Sequence, residues 1–180
     1  FFLLSSLSFS TVIPAVFGTA ELVGTWRPIR DMQPAAPWRA TRPFLAGMFL
    51  SGWIMLALPL AWPRWFFPLV WLSVFFILEP VNVWRGYPTL LGFLARGDRR
   101  PIVALPLGCL ACGFFWEMWN FFSYPKWIYE IPVVGFLKIF EMPILGYAGY
   151  IPFSWELFAL YSLVLGLLGR TSSVDFADGF

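Results

Sequence analysis

Two short stretches set a carboxyl and an amide three residues apart inside apolar sequence. The first reads Phe75-Phe76-Ile77-Leu78-Glu79-Pro80-Val81-Asn82, followed by Tyr87-Pro88. The second reads Phe114-Phe115-Trp116-Glu117-Met118-Trp119-Asn120, followed by Tyr124-Pro125. On a helix, positions three apart share a face, so Glu79 with Asn82, and Glu117 with Asn120, can act as pairs. A carboxyl in such surroundings has two uses. It can clamp one helix to another through hydrogen bonds, worth about 0.6 kcal/mol on average inside membranes. It can also exchange protons, as a general acid or base or in a proton relay, or hold a divalent cation through oxygen. Glu141 and Glu156 are the other acids near such sequence.

The elements that must position these groups are transmembrane helices. Apolar residues make up 59% of the chain and charged ones 12%, against about 25% charged in a soluble domain. Eleven Trp and twenty-one Phe are present. Trp26, Trp62, Trp65, Trp84 and Trp127 fall at the edges of apolar runs, as in the aromatic belts at headgroup level. At 1.5 Å rise per residue, about 20 residues cross the hydrocarbon. The runs predict five spans over roughly residues 2–26, 44–61, 66–84, 102–122 and 153–169. The fold class expected is all-α: a polytopic integral membrane helix bundle, one membrane domain over 1–180. A broken interfacial or re-entrant segment lies at 123–152, where Pro132, Pro143, Pro152, Lys138 and Glu141 disfavour a straight span. There Lys138 and Glu141 are placed to pair on a helix face, and Gly146-Tyr147-Ala148-Gly149-Tyr150 reads as a flexible turn. The tail from Thr171 to Phe180 reads as short, polar and mobile. The opening Phe1-Phe2-Leu3-Leu4 lacks the basic region of a signal peptide.

Two basic connections divide the spans. Residues 27–43 carry Arg27, Arg30, Arg39 and Arg42; residues 85–101 carry Arg85, Arg96, Arg99 and Arg100. The positive-inside rule puts both in the cytoplasm, and the two intervening spans make that consistent. In this topology Glu79 and Glu117 approach opposite membrane faces. Glu117, Glu141 and Glu156 share the outer side and can meet beneath the 123–152 segment.

Several chemistries are disfavoured. The net charge of +2 gives no basis for nucleic-acid binding. The chain has no His, the usual ligand for haem, pigments and most zinc sites; no cofactor is expected through imidazole, and no metal site is assigned. Cys109 and Cys112 form a lone CxxC within an apolar run. With Gly108 and Gly113 they read as small residues that let a second helix approach closely. No phosphate loop and no Gly-x-Ser-x-Gly occurs.

Leu78-Glu79-Pro80 and Phe140-Glu141-Met142-Pro143 resemble, over those few residues, the acid-and-proline motif of the small carotenoid-cyclising membrane proteins. That motif carries paired acids where this chain has one, and no catalytic role is carried across.

Three functional classes fit these residues. The first is a small accessory or structural subunit of a larger membrane complex, of the bacterial cytoplasmic membrane and energy-transducing. Its Phe and Trp would pack against lipid, quinone, carotenoid or other membrane subunits. The second is a membrane enzyme acting on a lipid or isoprenoid, with Glu117, Glu141 and Glu156 as acid–base candidates. The third is a small proton-linked transporter using the Glu–Asn pairs, with the duplicated phrase marking an inverted repeat.

Overall fold

A computed structural model describes residues 2, 3, 6, 10–129, 135 and 137–170. Helix makes up 73% of the structure. The helices are α1 (Val12–Gly24), α2 (Arg27–Arg30), α3 (Arg42–Ala61), α4 (Pro63–Phe66), α5 (Val70–Arg85), α6 (Leu90–Ala95), α7 (Arg100–Phe122), α8 (Ile144–Tyr147) and α9 (Tyr150–Leu167). A 3-10 turn, Phe67–Leu69, joins α4 to α5. Four helical stretches are long and apolar enough to cross a membrane: Arg42–Ala61, Pro63–Arg85, Arg100–Phe122 and Ile144–Leu167. These match four of the five expected spans. The described part of the first, α1, has 13 residues, about 20 Å of helix. Much of residues 2–11, and the expected mobile tail from Thr171, lie outside the described residues.

Helix starts follow local chemistry. Thr41 opens α3 by accepting the Phe44 N–H on its hydroxyl at 3.4 Å, with Pro43 in the first turn. Pro at this position costs nothing, since the first helical N–H groups have no partner within the helix. Gly86, at φ 72°, ends α5 in the left-handed conformation. Pro59, Pro80 and Pro106 lie inside helices, as neighbouring helices allow within membranes.

Side-chain meetings define the packing directions. A Cβ on Gly52 of α3 would meet Ile77 of α5, and Phe49 stacks against Trp84, so α3 and α5 are antiparallel. Thiol Cys112 of α7 lies 3.5 Å from the Ala15 carbonyl, while a Cβ on Gly108 would lie 2.6 Å from Ala20 N; α1 and α7 are also antiparallel. The small residues 108–113 therefore admit a neighbour as the sequence suggests, with Cys109 buried. Tyr150 lies on Gly113, and the Trp155 indole N–H donates to the Ile102 carbonyl at 3.2 Å, which makes α9 antiparallel to α7. Trp71 against Phe153 and Asn82 against Ala159 make α9 parallel to α5. The core lies where these helices meet, around Val16, Phe75, Phe93, Leu105 and Phe158.

Three local readings are corrected. Residues 85–101 are not simply a surface loop: α6 folds back into the bundle and buries Leu90 and Phe93, because its apolar side chains gain more inside than at the basic surface. The expected turn at 146–150 narrows to Ala148-Gly149, since Gly146 and Tyr147 end α8 and Tyr150 opens α9, and the last apolar stretch begins at Ile144. Lys138 and Glu141 do not share a helix face. Lys138–Ile139 pairs antiparallel with Met142–Pro143 in a small hairpin, and Glu141 sits in its turn. Because α9 starts beside the end of α7, the connecting segment returns to the side from which it left and does not cross.

Candidate functional site

Glu79 lies on α5 about one and a half turns before the helix ends, fully shielded from solvent. The chain leaves α5 at Gly86 and doubles back, which brings the start of α6 against it. Glu79 Oε1 accepts the Leu91 N–H at 2.7 Å, and the Thr89 hydroxyl accepts the Gly92 N–H at 2.9 Å. Two otherwise unpaired donors at a helix start are thereby satisfied by side chains. Asn82, one turn further on, donates from Nδ2 to the Ala159 carbonyl at 2.8 Å and ties α5 to α9. Among the described residues, Glu79 Oε2, Asn82 Oδ1 and, on α9, Ser162 Oγ are buried without a hydrogen-bond partner.

Glu117 occupies the equivalent place on α7 and is 3% exposed. Its Oε1 accepts two phenol hydroxyls, Tyr129 at 2.8 Å and Tyr150 at 3.1 Å. One comes from the connecting segment and one from the first turn of α9. Gly113 gives the Tyr150 ring its place, since a Cβ there would lie 2.5 Å from that ring. Burial first, and then the hydrogen bond to Glu117, hold the Tyr129 phenol well above its ordinary range, so it remains a donor. Among the described residues Glu117 Oε2 is buried with no partner. Asn120 embraces the Trp127 backbone, accepting its N–H at 2.7 Å and donating to its carbonyl at 2.9 Å.

The sequence pairing is thus corrected in one respect. Glu79 and Asn82 share a face but do not bond each other, and neither do Glu117 and Asn120 in the described hydrogen bonds. Each reaches a separate partner, so the two phrases make four ties. Glu117, Glu141 and Glu156, expected to meet, share no bonded partner among the described residues. Glu141 forms an ion pair with Lys126, Glu117 is held by tyrosines, and Glu156 Oε2 is buried without a partner. Among the described residues no three acidic or sulfur side chains gather as a metal-ligating group. Each acid has its own contacts: Lys126 holds Glu141 at the hairpin, while the phenols fix Glu117 between α7 and α9.

Tyr129 and Tyr150 are site residues that sequence reasoning missed. The available signal was a phenol in apolar sequence, since a buried Tyr hydroxyl usually finds a partner. Nothing in the spacing says which acid that partner is. Chemically, a carboxyl holding two phenol donors on one oxygen has the other free to accept or carry a proton, an arrangement suited to acid–base work. The same contacts also lock three segments together.

Compared with protein-family models, curated proteins and solved structures, the chain matches none.

Proposed function

We propose that this chain is a small structural subunit of a larger membrane complex, energy-transducing in character, that packs its aromatic faces against lipid, pigment or neighbouring helices. The observation that supports this best is an ordered aromatic face on the outer half of α7. Phe114, Phe115, Trp119, Phe121 and Phe122 are each 41–78% exposed. Their rings stack on one another and on Phe140 of the hairpin at 5.2–6.2 Å between centroids. Rings already ordered lose little freedom when a helix or flat ligand covers them. The intramembrane polar groups meanwhile serve largely as ties between segments, which suits a rigid packing element. We assign the basic segments 27–43 and 85–101 to the cytoplasmic side by the positive-inside rule, in a bacterial cytoplasmic membrane.

Extraction from native membranes in mild detergent tests this reading. The chain is expected to co-purify with other membrane subunits at fixed stoichiometry. Recovery as a lone monomer, with the α7 rings open to labelling in intact membranes, would overturn it.

One observation favours a second reading, a membrane enzyme acting on a lipid or isoprenoid: the unpartnered Glu117 Oε2 beside two tyrosine hydroxyls. Under it, Glu117→Gln abolishes turnover and leaves folding and assembly intact. The proton-linked carrier has less support, because Glu79 and Glu117 belong to separate networks at opposite ends of antiparallel helices. It requires cysteines placed at both positions to be labelled from one aqueous path.

A further inference from the structure

The fold joins the two basic stretches that the sequence keeps some sixty residues apart. The Ala35 N–H donates to the Gly97 carbonyl at 2.8 Å, and the Trp38 N–H donates to the Leu94 carbonyl at 3.0 Å. Gly97 has φ +79°, and a Cβ on it would lie 2.5 Å from the Ala35 carbonyl oxygen. Only glycine fits that crossing. Beside it opens a cavity of about 350 Å³, lined by Gln33, Arg96, Gly97, Asp98, Arg99 and Arg100 among others. That volume lies within the range of small-molecule sites, roughly 300–1,000 Å³.

Among the described residues that line this cavity, positive charge exceeds negative. Asp98 is spent on Arg100, receiving its backbone N–H at 3.0 Å, its Nε at 3.0 Å and its Nη2 at 2.9 Å. Two guanidinium groups remain. Arg96 lies 4.7 Å above the Phe93 ring, and Phe93 is buried, so its head is held near the cavity by cation–π attraction and acts on Asp98 only through its charge, without an ion pair. The Arg99 guanidinium makes no hydrogen bond or ion pair among the described residues, its backbone carbonyl alone accepting the Val103 N–H at 3.2 Å. The three Arg and one Asp leave the lining at +2. The groups are Arg rather than Lys, and the planar fork suits bidentate contact with phosphate oxygens. Depth is set by the neighbouring helix: Arg100 is the first residue of the Arg100–Phe122 span, so the cavity lies at headgroup level. Basic pockets beside transmembrane helices are suited to anionic headgroups.

We propose that this pocket binds a phosphate group, presented by the headgroup of an anionic phospholipid or by free phosphate. Arg96 and Arg99 grip the oxygens, and Gln33 and the Gly97 backbone line the remaining wall.

The full-length protein in uncharged detergent, titrated with phosphatidylglycerol or phosphatidylcholine and followed by native mass spectrometry, tests the lipid source. Preferential retention of phosphatidylglycerol is expected. It should weaken roughly tenfold in the Arg96→Gln, Arg99→Gln double variant and fall as salt rises. A second arm titrates inorganic phosphate against chloride at equal ionic strength and follows thermal unfolding. Stabilisation by phosphate, absent in the double variant and without preference between the lipids, supports the site and names free phosphate as its source. Arg100 is kept intact because it anchors Asp98. Should the double variant not fold, the headgroup and phosphate comparisons on the unaltered protein still decide. Equal retention of both lipids together with no phosphate effect overturns the proposal, as does undiminished binding in a folded double variant.

Discussion

Glu79 and Glu117 come from the same short phrase, occupy similar places near the ends of two antiparallel helices that both pack on α9, and are both buried. They are held in different ways. Glu79 accepts a backbone N–H, so its partner cannot leave without unwinding the start of α6. Glu117 accepts two phenol hydroxyls, each on a side chain that can rotate. The amides differ likewise: Asn82 is fully buried and joins two helices, whereas Asn120 holds the connecting segment at an exposed Trp127. One end of the bundle is pinned through main chain, and the other is latched through side chains. A carboxyl that can lose its partners without unfolding its neighbours is the better candidate for chemistry or for accommodating a partner. The proposed partner contacts therefore belong to the Glu117 end, with the Glu79 end the more rigidly held of the two.

The largest effect is expected from breaking the pinned end. Glu79→Ala leaves the Leu91 N–H without its acceptor and a space in the core, and should cost about 3 kcal/mol in unfolding experiments in detergent. Glu79→Gln keeps a carbonyl oxygen for Leu91 and should recover most of that. If Glu79→Ala is milder than Glu117→Ala, the contrast between the ends is wrong.

Gly113→Ala comes next. Its Cβ pushes on the Tyr150 ring and should cost about 1–3 kcal/mol. Combined with Tyr150→Phe the loss should be less than additive, because both act on one hydrogen bond. Gly166→Ala presses instead on Tyr87, where a Cβ would lie 2.4 Å from the ring. It should add independently to Tyr150→Phe. Double-mutant cycles measure both combinations.

Smaller again are the single phenols. Tyr129→Phe and Tyr150→Phe should each cost about 0.6 kcal/mol, with ~1.7 as the upper range for hydrogen bonds within membranes. Amide exchange near Trp127 and Tyr129 should quicken while exchange at Leu91 stays unchanged. Equal quickening at both would erase the distinction.

The smallest effect is on pH dependence, and it separates the ends by sign. Tyr129 titrates higher in the fold than in the unfolded chain. Its contribution is full below the ordinary phenol range near ~10 and is lost as pH rises through the folded value. Asp98, at the basic end, titrates lower in the fold: burial pushes it up, but the hydrogen bonds and charge of Arg100, with help from Arg96, outweigh burial. Its contribution is full above the ordinary Asp range near ~3.9 and is lost as pH falls through the folded value. Tyr129→Phe should flatten the alkaline limb of stability against pH, and Asp98→Asn the acid limb.

The legible features are those decided by neighbours along the chain. Four spans, the small residues at 108–113 and the opposite placement of Glu79 and Glu117 all follow from apolar run length, residue size and alternating direction. The hairpin at 138–143 was not legible, because two-residue strands leave no periodic signal and the pairing of Glu141 with Lys126 joins residues fifteen apart. The burial of α6 was hidden by its basic flanks: Leu90-Leu91-Gly92-Phe93-Leu94 is apolar, but it is too short to be read as anything but part of a polar connection.

By itself, the sequence determined that this chain forms membrane-length apolar helices and that Glu79 and Glu117 each share a helix face with an amide, since both depend only on side-chain type and a period of 3.6 residues. Tertiary structure alone decided whom those groups meet. Glu79 found a main-chain N–H twelve residues away, Asn82 a carbonyl seventy-seven away, and Glu117 a phenol thirty-three away. The two basic stretches found each other across some sixty residues through Ala35 and Gly97. Hydrogen bonds and ion pairs act over a few ångströms, so which partners come within reach depends on how the helices pack and where their connections turn back.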